Sequence, residues 1–164
     1  MSERLIERDE RGRDIVYVVD EKYVPVTPQW NMHINNLVEN GEMEKAMSAA
    51  RDMMNLGIEP NVRTFTTLIN GWCMVGKMSV AMHVTRVMLK MGLYPNRRTY
   101  QTLIRGYCKQ HDMMTAKRLV ESMIKVNLIP NIITFTQIIK ALCDMRLVGD
   151  ATILVDTLLK SDTK

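Results

Sequence analysis

The chain has few cysteines and no long apolar run. These two features limit the kinds of protein to which it can belong. Its 164 residues include only three cysteines, Cys73, Cys108 and Cys143, spaced 35 residues apart. In stacked helical layers such positions lie about 10 Å apart, beyond the reach of about 7 Å for a disulfide. No apolar run approaches the roughly 18 residues of a membrane span. We therefore expect thiols that pack inside the fold, with no metal site and no membrane partner.

Residue sets that are typical of catalysis are also missing. The three histidines fall at unrelated places in the period described below: His33, His83 and His111. There is no Gly-rich phosphate loop. We interpret the carboxylates Asp150, Asp156 and Asp162 as the polar cap of a terminal unit. The sequence predicts a protein that is not an enzyme and takes no cofactor or small-molecule substrate.

What the chain does have is a fixed period of 35 residues. Prolines, alanines, isoleucines and aromatics all keep it: Pro25, Pro60, Pro95 and Pro130; Ala46, Ala81, Ala116 and Ala151; Ile34, Ile69, Ile104 and Ile139; Trp30, Phe65, Tyr100 and Phe135. A period between about 20 and 50 residues indicates stacked repeats. We divide the chain into an N-terminal extension, residues 1–26, and repeats 1 to 4 at residues 27–61, 62–96, 97–131 and 132–164, the last being a truncated C-terminal cap.

The pattern of each repeat predicts two amphipathic helices. In repeat 2, Phe65, Leu68 and Trp72 recur on one helix face after Thr64, the predicted N-cap. A break at residues 75–77 precedes a second helix. Left-handed C-caps are predicted at Gly57, Gly92 and Asn127. The sequence thus predicts an all-α fold, an α-solenoid of about four tandem 35-residue helix-turn-helix repeats.

Two residue classes are assigned to packing. Gly71, Gly106 and Ala141 are small residues that are expected to let paired helices approach closely. The 15 methionines are expected to fill the core.

Residues 1–26 stand apart from the repeats. Ile15 to Val19 is β-prone, and we interpret the charged stretch before it as a solvated tail or docking segment. Arg11 replaces the periodic alanine, so any earlier repeat is truncated or degenerate. The segment is too acidic for an organelle-targeting leader, and none is visible.

Charge is unevenly distributed along the chain. Repeat 1 carries 2 basic and 5 acidic residues, whereas repeat 2 carries 4 and 0 and repeat 3 carries 7 and 2. Residues 132–164 carry 4 of each sign. The middle of the chain is where a polyanion is expected to bind.

The Thr-aromatic helix start and the Pro-Asn repeat end carry a family resemblance. On the segments Asn61 to Cys73 and Asn131 to Thr136, residues 27–164 resemble four tandem pentatricopeptide repeats. The resemblance implies a right-handed α-solenoid that binds single-stranded RNA, with successive bases read by successive hairpins.

By that resemblance, two residues read each base: the residue after the aromatic and the residue after the terminal proline. The pairs are Asn31 with Asn61, Thr66 with Asn96, and Gln101 with Asn131, while Thr136 has no partner. The first two pairs resemble those used for a pyrimidine and for adenine. We assign no base to Gln101.

Helix geometry independently predicts one exposed face of the first helices. In repeat 3 this face is polar and basic, and the neighbouring repeats extend it: Arg98, Gln101, Arg105 and Lys109, flanked by Arg63, Thr66, Thr136 and Lys140. Such side chains can neutralise phosphates, although an ordinary solvated surface is the alternative. At the second repeat position only Ile133 has the aliphatic character usual for the family, whereas Pro28, Arg63 and Arg98 do not. The two arginines can instead stack on bases or hold phosphates. Glu39 and Asp144 stand where the family often has a basic residue.

The sequence therefore indicates a single-stranded RNA-binding protein of organellar RNA metabolism within a larger ribonucleoprotein, such as a mitochondrial ribosome. A mitochondrial or plastid location follows from the resemblance alone. The alternative is a helical-repeat scaffold whose acidic first repeat binds a basic protein.

Overall fold

A computed structural model describes residues 3–8, 14–19 and 27–161. The predicted all-α repeat fold is confirmed, because residues 27–161 form eight helices in consecutive pairs. They are α1 Thr27–Glu39, α2 Met43–Asn55, α3 Val62–Met74, α4 Met78–Lys90, α5 Arg97–Lys109, α6 Met113–Lys125, α7 Ile132–Asp144 and α8 Val148–Ser161. In this described part of the chain, no helix combines the length and apolarity needed to cross a bilayer.

The described part of the N-terminal extension is a β-hairpin. Strand β1, Glu3–Arg8, pairs antiparallel with β2, Asp14–Val19. The β prediction for residues 15–19 is confirmed by β2. The sequence did not predict β1, because Ile6 is its only residue of a β-prone type. Asp162, interpreted above as part of a polar cap, lies outside the described residues.

Left-handed residues end both helices of a repeat. The predicted C-caps after the second helices are confirmed by φ angles of +74° at Gly57, +75° at Gly92 and +60° at Asn127. The turn between the two helices of a repeat also needs a left-handed residue, which is glycine in repeats 1 and 2. In repeats 3 and 4 it is His111 and Arg146, at φ +60° and +59°. At these two positions a residue with a side chain adopts the left-handed conformation, which costs local backbone strain.

The hydrophobic core crosses repeat boundaries, because Leu103 of α5 packs in the same buried cluster as the residues of α1 to α4. The prediction for the methionines is correct for only part of the set. Those on inward positions are at most 5 % exposed: Met43, Met53, Met78, Met88, Met113 and Met123. Another group is 39–70 % exposed: Met32, Met54, Met74, Met91, Met114 and Met145. Apolar character alone did not distinguish the two faces of each helix.

The small residues Gly71 and Gly106 do lie at close approaches, but the approach is to the preceding repeat and not, as predicted, between the paired helices of one repeat. A Cβ on Gly71 would lie 2.8 Å from Val38 Cγ1 and would also collide with the thioether of Met43. A Cβ on Gly106 would lie 2.5 Å from Met78 Sδ and 3.3 Å from Cys73 Sγ. The first helices therefore contact the preceding repeat with no room for a methyl group beside Val38.

We expect Gly71→Ala to lower the free energy of unfolding by about 1–3 kcal/mol, since the stiff, buried Val38 cannot yield to the new methyl group. Gly106→Ala should cost less, because a flexible thioether faces it and Ala141 already fills the equivalent place in repeat 4. Urea unfolding followed by circular dichroism measures both. Gly149→Ala is the matched control: it lies in α8 with no atom within 4 Å of the added Cβ, so we expect a gain of about 0.4–1 kcal/mol. Equal stability of the Gly71 and Gly149 variants would contradict the packing described.

The more deeply a cysteine thiol is buried, the more slowly it should react. Burial raises the pKa of the Cys73 thiol to about 11, although the Arg105 guanidinium opposes the rise. Only about one in a thousand such thiols is ionised at pH 8, and the thiolate is the reactive form. Iodoacetamide at pH 8 should therefore label the exposed Cys143 first and Cys73 slowly, as peptide mapping can follow. Cys143→Ser should abolish the fast labelling; rapid modification of Cys73 in the folded protein would refute the assignment.

Candidate nucleic-acid interface

The first helices of the four repeats form one continuous layer. Helix α1 packs on α3, α3 on α5, and α5 on α7. Each second helix contacts the first helix of its own repeat, and α2, α4 and α6 also contact the first helix of the next repeat. Within residues 27–161, no second helix packs comparably on another. Equivalent positions of α1, α3, α5 and α7 therefore recur along one side of the molecule.

An asparagine caps the first helix of repeats 2, 3 and 4. Backbone N–H groups of Thr64, Thr99 and Thr134 donate to Oδ1 of Asn61, Asn96 and Asn131 at 3.1, 3.0 and 2.9 Å. The predicted N-cap at Thr64 is therefore wrong: Thr64 is the third residue of α3 and closes a capping box by accepting from the Asn61 N–H at 3.1 Å. The Asn-x-x-Thr spacing, which occurs at the start of three repeats, is the sequence feature that could have identified these asparagines as the N-caps.

Capping fixes the orientation of the asparagine amides. Because Oδ1 is directed at the helix N-terminus, the Nδ2 group is left at the exposed end of each side chain. Asn61, Asn96 and Asn131 are all exposed, and their Nδ2 atoms donate to no other described residue. The layer thus presents one amide donor per repeat, at a constant sequence interval.

Two of the three predicted pairs are brought together. Asn31 donates from Nδ2 to Asn61 Oδ1 at 3.2 Å, and its own Oδ1 accepts from the Thr64 hydroxyl at 2.5 Å. In the next pair a threonine lies between the members. The hydroxyls of Thr66 and Thr99 are 2.8 Å apart, and the Thr99 hydroxyl lies 3.0 Å from Asn96 Oδ1. Thr64 and Thr99, which the sequence did not place in the site, join the pairs.

The third pair is not joined by a hydrogen bond among the described residues. Gln101 is half-buried, and its Nε2 atom is enclosed without a partner. Thr136 is exposed and donates to the carbonyl of Ile132 in its own helix at 2.7 Å. The longer glutamine side chain does not reproduce the contact made by Asn31 or Thr66.

The exposed face predicted from helix geometry is partly wrong. Thr66, which belongs to that face, is only 6 % exposed, and Asn31, a base-reading residue by the family resemblance, is 4 % exposed. The next first helix covers them, because the threonines at its third position are themselves buried against this surface. Helix periodicity located a polar stripe but could not show that the following helix would cover one of its rows.

The basic residues, in contrast, do lie at the surface. All five predicted cations are exposed, and none forms an ion pair with another described residue: Arg63, Arg98, Arg105, Lys109 and Lys140. Three of them belong to α5, which therefore carries most of the positive charge of this layer. Ile133, at the second position of repeat 4, is also 65 % exposed.

The outer repeats carry carboxylates at the position of Lys109. Glu39 is exposed and accepts from Asn35 Nδ2 at 2.8 Å, and Asp144 is exposed in α7. Asp150 is not a free cap residue, because it pairs with Lys117 of the preceding repeat at 2.6 Å. The positive potential of the layer is thus confined to its centre.

The sequence matches the model of the PPR repeat family three times, over residues 25–74, 64–109 and 99–144. No curated protein sequence matches it significantly. Among solved structures, the pentatricopeptide repeat protein PPR10 from maize superposes with a TM-score of 0.69 at 21 % identity, over 87 % of this chain and 20 % of that chain. PPR10 in complex with an 18-nt psaJ RNA element gives 0.70 at 21 % identity, over 87 % and 21 %.

A third solved structure is the PPR domain of Arabidopsis thaliana protein-only RNase P 1 in complex with tRNA. It superposes with a TM-score of 0.64 at 18 % identity, over 77 % of this chain and 69 % of that domain. This chain spans about a fifth of the length of PPR10. Repeat matches that cover most of the chain, together with the helix pairs and their continuous first-helix layer, establish that it belongs to the PPR repeat family.

Proposed function

We propose that the chain binds single-stranded RNA along the layer of first helices. The observation that carries this proposal is the row of exposed capping asparagines, Asn61, Asn96 and Asn131, whose Nδ2 groups donate to no described residue, on the same layer as the cations of α5, which pair with no described carboxylate. Amide N–H groups can donate to base-edge acceptors, while arginine and lysine neutralise phosphates. Two of the structures that resemble this chain were solved with RNA, one with a psaJ element and one with tRNA.

In this proposal the two members of a pair have different roles. The capping asparagine contacts the base, and the buried partner, Asn31 or Thr66, holds the amide in place through the hydrogen bonds described above. The first pair then favours a pyrimidine and the second adenine. No base is assigned to the third pair, Gln101 with Asn131, or to Thr136, which has no second member.

Base stacking is assigned to the second position of each repeat. Arg63, Arg98 and Ile133 are exposed there, one turn or less from the capping asparagine. A guanidinium plane or an aliphatic side chain can pack on a base face, and stacking contributes about 1–3 kcal/mol per base. Arg105, Lys109 and Lys140 lie farther along the helices and are assigned to phosphates.

The small number of repeats limits affinity. One base per hairpin gives about three or four bases, and association alone costs at least about 4 kcal/mol. We therefore propose that the chain works within a larger ribonucleoprotein of organellar RNA metabolism, in a mitochondrion or plastid, where RNA and protein neighbours both contribute contacts. A mitochondrial ribosome is one such particle.

A protein scaffold is the second candidate, and the acidic first repeat is the observation that favours it. Residues 27–61 carry 5 acidic and 2 basic side chains, and Glu39 lies on the same layer as the cations of α5. A basic protein segment fits that end better than RNA does. We propose no catalytic role; Asp150, one of the carboxylates along α8, pairs with Lys117 of the preceding repeat.

Replacing the α5 cations should weaken RNA binding in a salt-dependent way. For Arg98→Ala, Arg105→Ala and Lys109→Ala combined, the slope of log affinity against log salt should become less steep by about 1.4, because Arg105 and Lys109 each contribute a single-strand phosphate contact worth about 0.7. Fluorescence anisotropy with a short single-stranded RNA at several salt concentrations measures this slope. The matched control combines Arg51→Ala, Arg86→Ala and Lys90→Ala, three exposed cations of second helices. An equal effect in both triple variants would favour non-specific attraction over the proposed path.

Changing one amide to a carboxylate should change the preferred base. Asn96→Asp keeps an N-cap acceptor but exposes an acceptor where Nδ2 now donates. We expect guanine to be preferred over adenine at one position, because the N1–H and N2–H₂ groups of guanine donate on the edge where adenine N1 accepts, with a discrimination of about 1–3 kcal/mol. Binding to RNAs that differ at single positions measures the change.

Asn96→Ala separates recognition from folding. The alanine variant should lose the helix cap, which lowers the free energy of unfolding by about 1 kcal/mol, and it should also lose the base preference. The Asp variant should keep its stability. Retention of the adenine preference in the Asp variant would exclude Asn96 as the reading residue.

A further inference from the structure

A groove between the second helices of repeats 1 and 2 contains a cavity of about 100 Å³. We call it the α2–α4 groove. Its floor is formed by α3, through residues such as the buried Phe65 and Leu68. Its two walls are formed by α2 and α4 and are mainly apolar: Met47, Ala50, Met54, Val84 and Val87. The walls thus belong to second helices, whereas the proposed RNA surface is carried by first helices.

The equivalent grooves farther along the molecule, α4–α6 and α6–α8, are built from larger side chains. The residues that replace Ala50 and Val84 are Thr85 and Leu119 in the α4–α6 groove, and Val120 and Leu154 in the α6–α8 groove. In the α6–α8 groove an ion pair between Lys117 and Asp150, at 2.6 Å, also joins the walls. Met47 and Val80 stand at those two places in the α2–α4 groove. This groove therefore has room for a side chain that the other two supply themselves.

Basic side chains border the cavity, and none of the residues that line it is acidic. Arg51 of α2 and His83 of α4 are both exposed, on opposite walls. Arg51 forms no ion pair with a carboxylate of residues 27–161. The segment that supplies the floor and one wall contains no acidic residue between Glu59 and Asp112. An apolar group that carries an anionic group beside it complements an apolar base with a basic rim.

The size of the cavity indicates the type of apolar group. An engineered cavity of about 150 Å³ holds benzene. At about 100 Å³, the cavity of the α2–α4 groove suits a branched aliphatic side chain better than an aromatic ring. Leu119 and Leu154, the larger residues of the other grooves, are of this type. Met54, which is 39 % exposed, extends the apolar surface beyond the cavity, so a protein segment covers more of it than a small molecule does.

We propose that the α2–α4 groove binds a short, acidic amphipathic helix of a partner protein. A leucine or isoleucine of that helix fills the cavity between Ala50 and Val84, and an aspartate or glutamate pairs with Arg51. Because Ala50 and Arg51 are adjacent and line the same cavity, the two anchoring side chains must lie close together. Side chains three or four positions apart on a helix meet this condition. The interaction leaves the layer of first helices accessible and does not depend on the proposed RNA binding.

Selection of displayed random peptides on the full chain tests the proposal, and a selected peptide is then synthesised as the probe. We expect enriched peptides to share an aliphatic residue and an acidic residue three or four positions apart. Fluorescence anisotropy should show that Val84→Leu, which fills the cavity, weakens binding of the peptide by about 30-fold or more. Arg51→Ala should weaken it by about 3-fold, and by less at high salt.

Two controls accompany these variants. Arg86→Ala removes the equivalent of Arg51 in the α4–α6 groove and should leave the affinity for the peptide unchanged. Ala50→Thr, which copies Thr85, is a second filling variant with the same expected loss. Since filling a cavity stabilises a fold, the thermal midpoints of the filling variants should equal or exceed that of the unchanged chain. A marked fall in both midpoints would show that the groove has no space and would overturn the proposal.

The binding measurements can also overturn it. Enriched peptides without the aliphatic and acidic pair would do so, as would an affinity that neither filling variant lowers. Displacement of the peptide by single-stranded RNA would place the peptide on the first helices instead. Isocaproate, a branched aliphatic carboxylate, is the small-molecule probe. If it binds as tightly as the peptide, the occupant is a free carboxylic acid and the assignment to a partner protein is wrong.

Discussion

The packing of each first helix on the next is the interaction on which the rest of the structure depends. Gly71 and Gly106 have no space for a Cβ, so the helices approach until the buried isoleucines and methionines of one repeat are covered by the next. This contact fixes the position of every later helix N-terminus. The capping asparagines consequently recur at equal intervals along one layer, as a repeated reading surface requires.

In this layer one side chain serves both stability and the proposed recognition. The asparagine amide has an acceptor end and a donor end, and the helix N-terminus engages the acceptor. The buried Asn31–Thr64 and Thr66–Thr99 contacts hold this arrangement on the side of the preceding repeat. The proposed recognition in repeats 1 and 2 would therefore be pre-organised by groups that a base does not contact. Repeat 3 lacks that support, since Gln101 makes no such bond and leaves its Nε2 enclosed without a partner.

Much of this fold could be predicted from the sequence, because a strict period of 35 residues aligns the four repeats with one another. Helix pairs and left-handed ends at Gly57, Gly92 and Asn127 followed from repetition, as did the tight contacts at Gly71 and Gly106, although not the repeat with which they are made. The errors concern groups with two plausible partners. Thr64 and Asn61 can both cap a helix, and only the backbone geometry decides between them. The burial of Thr66 and the exposure of Met74 depend on which face the next helix covers. Within the site, the surface cations could be predicted and the buried threonine links could not.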